Sequence, residues 1–518
     1  MSGPATKRLH LALLLLSIAA VAASLLWQGR SGFYMGDEGY LWYGVQRVMR
    51  GEVPIRDFLA YDPGRYYAAA SLMAPWGSDG LMALRAAVAC FEAAGLALAL
   101  ALLAWHAPTR NAAWWLVVAA TLVAWMFPRH KLFDIAASVA LLGTIASLLA
   151  HPTRRAHLLA GVAVGAVAIF GRNHGLYGAI ASVASVAWLA SRREAAALPF
   201  RSGLAWWAAG VLLGYLPLLL MLALVPGFAS AFVRSVRIIL EAGSTNLPLP
   251  IPWPWRAHFG VVPAGEALRE VLAGVFFIAL PAWGVAGIGW AIVRRRRGLA
   301  TPPLLLASAI LSLIYTHFAY SRADVSHLAQ SIFPLLVGAF ACVALLRGPS
   351  RCLAPGALCA ASLYLMLPQH PGWACRVRHA CVAAQVGNDT VQVDRGTAAD
   401  LRLVAALASR YAADGRTFYV APFWPGAYAA FGRKSPVWEI YPLFPRDTGL
   451  QRAEVERLRA ARPGFAVILD AALDGREELR FARSHPIIDR YIRESMVPVQ
   501  GYSTDPLYRI YRDAGSAP

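Results

Sequence analysis

Long apolar runs separated by short polar connections dominate the chain up to residue 367. Each run is roughly 20 residues long with few or no charges, the length that an α-helix needs to cross a hydrocarbon core about 30 Å thick. The first run follows Lys7 and Arg8 without a clean small-residue cleavage site, so it predicts a retained anchor rather than a signal peptide. The pattern predicts eleven spans, at 9–27, 81–105, 112–127, 132–150, 157–170, 175–190, 203–224, 268–293, 303–318, 328–346 and 353–367.

The hydrophobic pattern changes after residue 367. Helical periodicity at 398–413 leads into a strand-like run at 416–422, and a second helix-to-strand unit follows at 451–461 and 465–469. This alternation predicts a small α/β domain. We therefore expect an α-helical polytopic membrane protein of about eleven transmembrane helices, with a membrane domain at 1–367 and a soluble extracytoplasmic domain at 368–518.

The first outer loop, 28–80, contains an amphipathic pattern. Apolar residues recur at helical spacing from residue 38 to residue 50, and Gly51 stands where a helix would stop. Aromatic side chains on the same stretch favour a helix that lies in the membrane interface, where such rings are enriched.

Composition and charge agree with a membrane protein. Hydrophobic residues make up 58% of the chain and charged residues 15%, which is more apolar than a soluble domain tolerates. A net charge of +19 would suggest nucleic-acid binding in a soluble chain, but here it follows from topology, and no nucleic-acid partner is expected. With a cytoplasmic amino terminus, every short inside loop is basic, as the positive-inside rule requires, and the segment after residue 367 lies outside. The inside basic residues are Lys7, Arg8, Arg110, Arg154, Arg155, Arg192, Arg193, Arg201, 294–297, Arg347 and Arg351.

The six cysteines form no metal-binding motif. Four of them lie in or beside predicted spans, where cysteine behaves as a small hydrophobe. Cys375 and Cys381 fall in the outside segment, where oxidising conditions permit a disulfide, and the sequence leaves open whether they pair.

Polar residues beside the spans form four clusters, all of which this topology places outside. Two clusters contain the carboxylates Asp37, Glu38 and Asp134, which could take a proton from an acceptor hydroxyl as general bases. Three clusters contain cations that can bind a lipid phosphate. The candidate donor-phosphate-binding residues are Arg129, Lys131, Arg172, His174, Arg322 and His327.

Each candidate also has a purely structural interpretation. Asp37 could cap the helix that it precedes, and Glu38 could be a solvated charge of the first turn. Asp134 could complement a helix dipole. The cations could snorkel at the interface or pair locally, as Arg322 could with Asp324.

Part of the sequence resembles a known family. The run Gly36-Asp37-Glu38-Gly39-Tyr40, then Arg50-Gly51, 54–58 and Asp62-Pro63-Gly64, is similar to the first outer loop of the membrane-embedded GT-C glycosyltransferases. That family includes the protein mannosyltransferases and the aminoarabinose transferases that modify lipid A. The segment from Arg322 to His327, followed by Pro334, resembles an element of many bacterial relatives. The layout of many spans with an outer tail is similar over the whole chain.

The resemblance implies an inverting transfer of a sugar from a polyprenyl-phosphate donor in the lipid to an acceptor hydroxyl of a glycan, lipid or protein. The family's proposed base matches Asp37, and its second acidic position matches Asp134 loosely. No cofactor is certain: some relatives use a divalent metal, but this chain lacks a clear cluster of acidic ligands. The expected location is a bacterial inner membrane, with the amino terminus cytoplasmic and the carboxyl-terminal domain periplasmic.

Two other functions fit many spans and a basic outer face. A transporter or flippase of lipid-linked sugars would place ionisable residues near the midplane, and Glu92 is the one obvious charge deep in a predicted span. A lipid-linked glycan ligase or polymerase would use the same face and similar cations, so only an assay separates it from a transferase.

Overall fold

The computed structural model describes residues 4–107, 111–191, 198–242 and 246–515. The predicted inside residues Arg110, Arg192 and Arg193 lie outside these ranges. The helices are α1 (Pro4–Gln28), α2 (Asp37–Met49), α3 (Gly64–Met73), α4 (Leu81–His106), α5 (Ala112–Trp125), α6 (Leu132–Ala150), α7 (Arg154–Phe170), α8 (Arg172–Ala190), α9 (Phe200–Leu224), α10 (Phe228–Ala242), α11 (Ala264–Arg296), α12 (Pro303–Ser321), α13 (Val325–Ser331), α14 (Phe333–Val343), α15 (Ser350–Met366), α16 (Arg395–Tyr411), α17 (Pro425–Ala430), α18 (Thr448–Ala461), α19 (Phe481–Ser484) and α20 (Pro486–Ser495). The strands are β1 (Cys381–Val386), β2 (Asp389–Asp394), β3 (Tyr419–Ala421), β4 (Phe465–Leu469), β5 (Met496–Pro498) and β6 (Tyr508–Asp513).

The predominantly helical class is confirmed, but the count of eleven spans is not. In the part of the chain that the structure describes, seven helices are long and apolar enough to cross a membrane, and α13 with α14, bent by 58°, forms an eighth candidate. Three predicted spans fall short. Helices α5 and α7 have only 14 and 17 residues, and α8 opens on the polar sequence Arg172-Asn173-His174.

Small residues bring α7 and α9 into close contact. Gly161 and Gly165 on α7, and Gly210 and Gly214 on α9, are each spaced four residues apart. A Cβ on Gly161 would lie 2.0 Å from the Trp207 carbonyl oxygen, and one on Gly210 would lie 2.1 Å from that of Leu158. Two facing motifs of this kind are typical of helix pairs in membranes, where close backbone approach replaces the hydrophobic effect as the driving force.

Contacts divide the chain into two compact units. The helical unit comprises Met1–Trp27, Val88–Leu224 and Asn246–Trp373, and the sheet unit comprises Gln28–Ala87, Val225–Thr245 and Ala374–Pro518. The first outer loop therefore groups with the carboxyl-terminal segment. The domain boundary at residues 367 and 368 stays a prediction, close to the chain position at which the second unit resumes.

A four-stranded sheet with the order β3-β4-β6-β5 lies in the sheet unit. Strands β3 and β4 are parallel, whereas β6 pairs antiparallel with both β4 and β5. The two helix-to-strand units predicted from the sequence are confirmed as α16 with β3 and as α18 with β4. Helices α18 and α20 cover the sheet, and the core contains Tyr419, Val455, Leu458, Ala466, Ile468, Phe481, Ile488 and Ile492.

The amphipathic helix of the first outer loop exists as α2, but its expected place in the membrane interface is wrong. Residues 38–47 are all buried by protein. A Cβ on Gly39 would lie 2.3 Å from the Gly426 Cα of α17, and one on Gly44 would lie 2.3 Å from the ring of Tyr66. The aromatic residues that suggested an interface helix are instead core residues, because segments distant in sequence cover them.

A disulfide joins Cys375 to Cys381 in the sheet unit, at a sequence separation of six residues. The bond ties the start of the β1–β2 hairpin, where Cys381 pairs with Asp394, to the segment that precedes it. The pairing that the sequence left open is therefore formed.

Candidate active site

Asp37 is the first residue of α2, in the sheet unit. The N-cap position belongs to Gly36, so the interpretation of Asp37 as the N-cap residue is wrong. The Asp37 side chain is half-buried, and Tyr61 donates its phenol O–H to Oδ1 at 3.3 Å. An ionised carboxylate accepts hydrogen bonds at two oxygens, which is the chemistry that a general base needs.

Tyrosine side chains surround this carboxylate. Tyr40 packs edge-on against Tyr61 and tilted against Tyr441, with ring centroids 5.0 and 5.6 Å apart. A Cβ on Gly36 would lie 2.6 Å from the Tyr441 hydroxyl, which explains why glycine precedes Asp37. Burial, followed by the negative charge of Asp37, raises the pKa of Tyr441 well above its ordinary value. The Tyr441 phenol therefore stays protonated and neutral at physiological pH.

Glu38 lies next to Asp37 in sequence but in a different environment. It is 6% exposed, and both of its carboxylate oxygens accept bonds of 2.8 Å from Arg85, which is 1% exposed. Arg85 also donates to the carbonyl oxygens of Gly29 and Gly32 at 2.7 and 2.6 Å. Glu38 is thus not a solvated charge, and the two-bonded pair favours a structural role over the predicted catalytic one.

The helical unit brings Asp134 and His174 together. Asp134 lies in the first turn of α6, and its Oδ1 is 3.5 Å from His174 Nε2 on α8. The other ring nitrogen of His174 is 2.8 Å from the Tyr315 hydroxyl on α12. All three residues are at most 4% exposed. Because both imidazole nitrogens face protein groups, the geometry favours a role for His174 in holding Asp134 rather than in direct phosphate contact.

Asp324 organises the predicted phosphate site between α12 and α13. It caps α13 by accepting the His327 backbone N–H at 2.8 Å, and the same oxygen lies 2.9 Å from His327 Nδ1. Arg322 donates from Nε to Asp324 at 3.0 Å and from Nη1 to the Leu247 carbonyl oxygen at 3.0 Å. Burial alone would raise the pKa of Asp324, but the bonds and charges of His327 and Arg322 outweigh it and hold the pKa below its usual value. The carboxylate is therefore ionised and keeps Arg322 and His327 in place.

The Asp134 and Asp324 groups share an aromatic neighbour. The ring of Phe318 lies 5.4 Å from that of His174 and 5.5 Å from that of His327, measured between centroids. The other predicted phosphate-binding cations are in the same unit, Arg129 and Lys131 in a 3₁₀ turn before α6 and Arg172 at the start of α8, and each takes part in an interaction. Asp37 and Glu38 belong to the sheet unit.

The sequence pattern did not identify four of the residues in these sites. Tyr61 directly precedes Asp62-Pro63-Gly64 of the family-like segment, so its position gave a usable signal. No sequence signal identified Arg85, Tyr315 or Tyr441, because their partners are 47 or more residues away in the chain or on another helix. Within the described residues no group of three His, Cys, Asp or Glu side chains could hold a metal ion.

No protein-family model matches the chain, and no curated protein is significantly similar to it in sequence. Among solved structures, the chain is similar to the apo form of the oligosaccharyltransferase from Archaeoglobus fulgidus, with a TM-score of 0.45 and 11% identity. The match covers 96% of this chain and 74% of that chain. A likeness of this size assigns no residue and no reaction to the present protein.

Proposed function

We propose that the protein is an inverting glycosyltransferase that moves a sugar from a polyprenyl-phosphate donor to an acceptor hydroxyl at the outer face of a bacterial inner membrane. The observation that carries the proposal is the half-buried Asp37 carboxylate at the start of α2, which accepts a hydrogen bond from Tyr61. It occurs in the segment whose residues resemble the first outer loop of GT-C enzymes.

In the proposed reaction, the acceptor O–H gives its proton to Asp37 while the acceptor oxygen bonds to the anomeric carbon of the donor. The bond from that carbon to the phosphate oxygen breaks, and its electron pair leaves with the lipid phosphate. A single displacement of this kind inverts the anomeric centre. Cations near the phosphate stabilise the charge that develops on the leaving oxygen.

Arg322 is the proposed phosphate ligand, with Lys131 and His327 as further contributors. Its guanidinium has five N–H donors, and a planar fork of this kind can bind phosphate oxygens in pairs. The bonds to Asp324 and Leu247 support this role because they fix the side chain in one orientation before the donor arrives.

The proposal keeps the predicted topology, with a cytoplasmic amino terminus and a periplasmic carboxyl-terminal segment. The disulfide between Cys375 and Cys381 supports an oxidising compartment for that segment. Helices α5 and α7 then serve as short spans, and α8 serves as a span that begins with a polar turn.

The test is turnover of a defined donor. Purified protein in lipid is incubated with radiolabelled polyprenyl-phosphate sugars, and release of the lipid phosphate is scored together with the labelled product. We expect Asp37→Asn to abolish transfer and to keep donor binding, since the amide cannot take the proton. Asp79→Asn is the matched control, because Asp79 is an exposed aspartate of the same loop in a surface pair with Arg50 that contributes little stability. Equal transfer by Asp37→Asn and wild type would exclude Asp37 as the base.

The same assay separates the competing functions. A transferase adds one sugar for each lipid phosphate released, whereas a polymerase or ligase gives products of many units. A flippase moves the labelled lipid across the bilayer without releasing its phosphate.

A further inference from the structure

An exposed aromatic ring stands beside the proposed base. Tyr34 is 55% exposed, although most large aromatic residues of the first outer loop are buried. Its hydroxyl is hydrogen-bonded to Tyr441, and its ring edge would lie 2.8 Å from a Cβ on Gly36, the residue before Asp37. The ring is thus held at one end by the half-buried Tyr441, while a large part of the Tyr34 surface faces outward.

This arrangement is unusual for a surface tyrosine. An ordinary exposed tyrosine points its hydroxyl to water and rests its ring on the protein, because the ring is the apolar part. Here the hydroxyl is tied to Tyr441, so the ring keeps exposed apolar surface in a fixed position. A rigid aromatic ring of this kind supplies contact area at a low cost in conformational entropy.

The neighbours of Tyr34 define what can bind there. The Asp37 carboxylate accepts hydrogen bonds, and Tyr61 and Tyr441 carry phenol groups that can donate or accept. A pyranose ring has complementary surfaces, with C–H groups on one face and hydroxyls around the rim. Stacking the C–H face on Tyr34 would bring rim hydroxyls toward the carboxylate. A Ser or Thr side chain has no apolar face of matching size.

We propose that the acceptor is a sugar, whose ring stacks on Tyr34 and presents one of its hydroxyls to Asp37. This inference rests on the proposed function, which makes Asp37 the base, but the binding of a sugar at Tyr34 can be tested without turnover. Of the three acceptor classes in the proposed function, namely glycans, lipids and proteins, the inference selects glycans.

The experiment is saturation-transfer NMR on the full-length protein in nanodiscs. The probes are methyl glycosides of glucose, mannose, galactose and N-acetylglucosamine, with a Ser/Thr-containing peptide as the competing acceptor class. For wild type we expect saturation of at least one glycoside, strongest at the C–H hydrogens of one ring face. Tyr34→Ala should weaken its binding about tenfold, as expected for truncating a central aromatic contact. Tyr34→Phe should bind more tightly than Tyr34→Ala but less tightly than wild type, because the ring remains while the hydroxyl bond that fixes it is lost.

Trp76→Ala is the matched control, since Trp76 is another exposed aromatic residue of the same loop, 53% exposed. It should bind the glycosides as wild type does. The inference is overturned if no glycoside is saturated, if Tyr34→Ala binds as wild type does, or if the peptide binds in a Tyr34-dependent manner in place of the sugars. Glycoside binding without donor turnover in the radiolabel assay would reject the proposed function and leave the sugar site standing.

Discussion

The buried pair of Glu38 and Arg85 allows a direct test of which first-loop carboxylate is structural. Glu38→Gln keeps the size of the side chain but leaves the Arg85 charge, at 1% exposure, without a counter-charge. Removing one partner of a buried ion pair typically costs about 3–5 kcal/mol. The carbonyl oxygens of Gly29 and Gly32 still accept from Arg85, so we expect the lower end, about 3 kcal/mol.

A loss of this size is measurable as a shift in thermal unfolding. For a domain of roughly 150–250 residues each kcal/mol lowers the midpoint by about 2–4 °C, which gives a shift of about 6–12 °C. Intrinsic tryptophan fluorescence in nanodiscs is a suitable probe, because Trp42 lies on the same helix and is 1% exposed. Transfer activity below the unfolding transition should persist, because a Glu38 that only stabilises the fold takes no part in the reaction.

A double variant completes the design. Glu38→Gln with Arg85→Met removes both charges, and because no buried charge is then left without its partner, part of the lost stability should return. An unchanged midpoint for Glu38→Gln together with lost transfer would refute this reasoning and make Glu38 a catalytic carboxylate.

Three further outcomes follow from the structure. Gly39→Ala places a Cβ 2.3 Å from the facing backbone of α17 and should cost about 3 kcal/mol in chemical unfolding, whereas Gly356→Ala, at an open position, should cost nothing measurable. Arg322→Lys should keep part of the donor affinity and Arg322→Ala should lose it, because lysine keeps the charge without the fork; equal affinity of both variants in a donor-binding titration would contradict this. Asp324 has a folded-state pKa below its usual value of 3.8, so its contribution to stability is present above that value and is lost as pH falls through the folded pKa. Unfolding midpoints measured from about pH 5 downward should therefore converge for wild type and Asp324→Asn.

The helices could be predicted from the sequence because apolar length and periodicity are local properties. The bounds of α2 and of the two helix-to-strand units match the predicted positions closely. The number of spans could not be predicted as well. Helices α5, α7 and α8 differ from the other predicted spans only by a few residues of length or by a polar first turn.

The environment of α2 could not be predicted, because it depends on pairing between distant segments. Its apolar face and its aromatic residues are the same whether lipid or protein covers them. Only the structure shows that Gly39 faces Gly426, and that Ser435 donates its backbone N–H to the Tyr43 hydroxyl at 3.0 Å. The same limit applies to the site. Charges beside the spans identified Asp134 and His174 separately. They did not identify Tyr315, because it lies within an apolar run and only the structure shows its hydroxyl beside the imidazole of His174.

The burial of α2 by α17 sets an order of events during synthesis. Residues 37–49 leave the ribosome early, whereas the segment that covers them follows several hundred residues later. Until residue 426 has been synthesised, the rings of Trp42 and Tyr43 have no native partner from α17 or its neighbours. A holdase chaperone would have a binding site on the nascent chain throughout that interval, and a chain cut short before α17 would display the same site permanently to quality-control proteases.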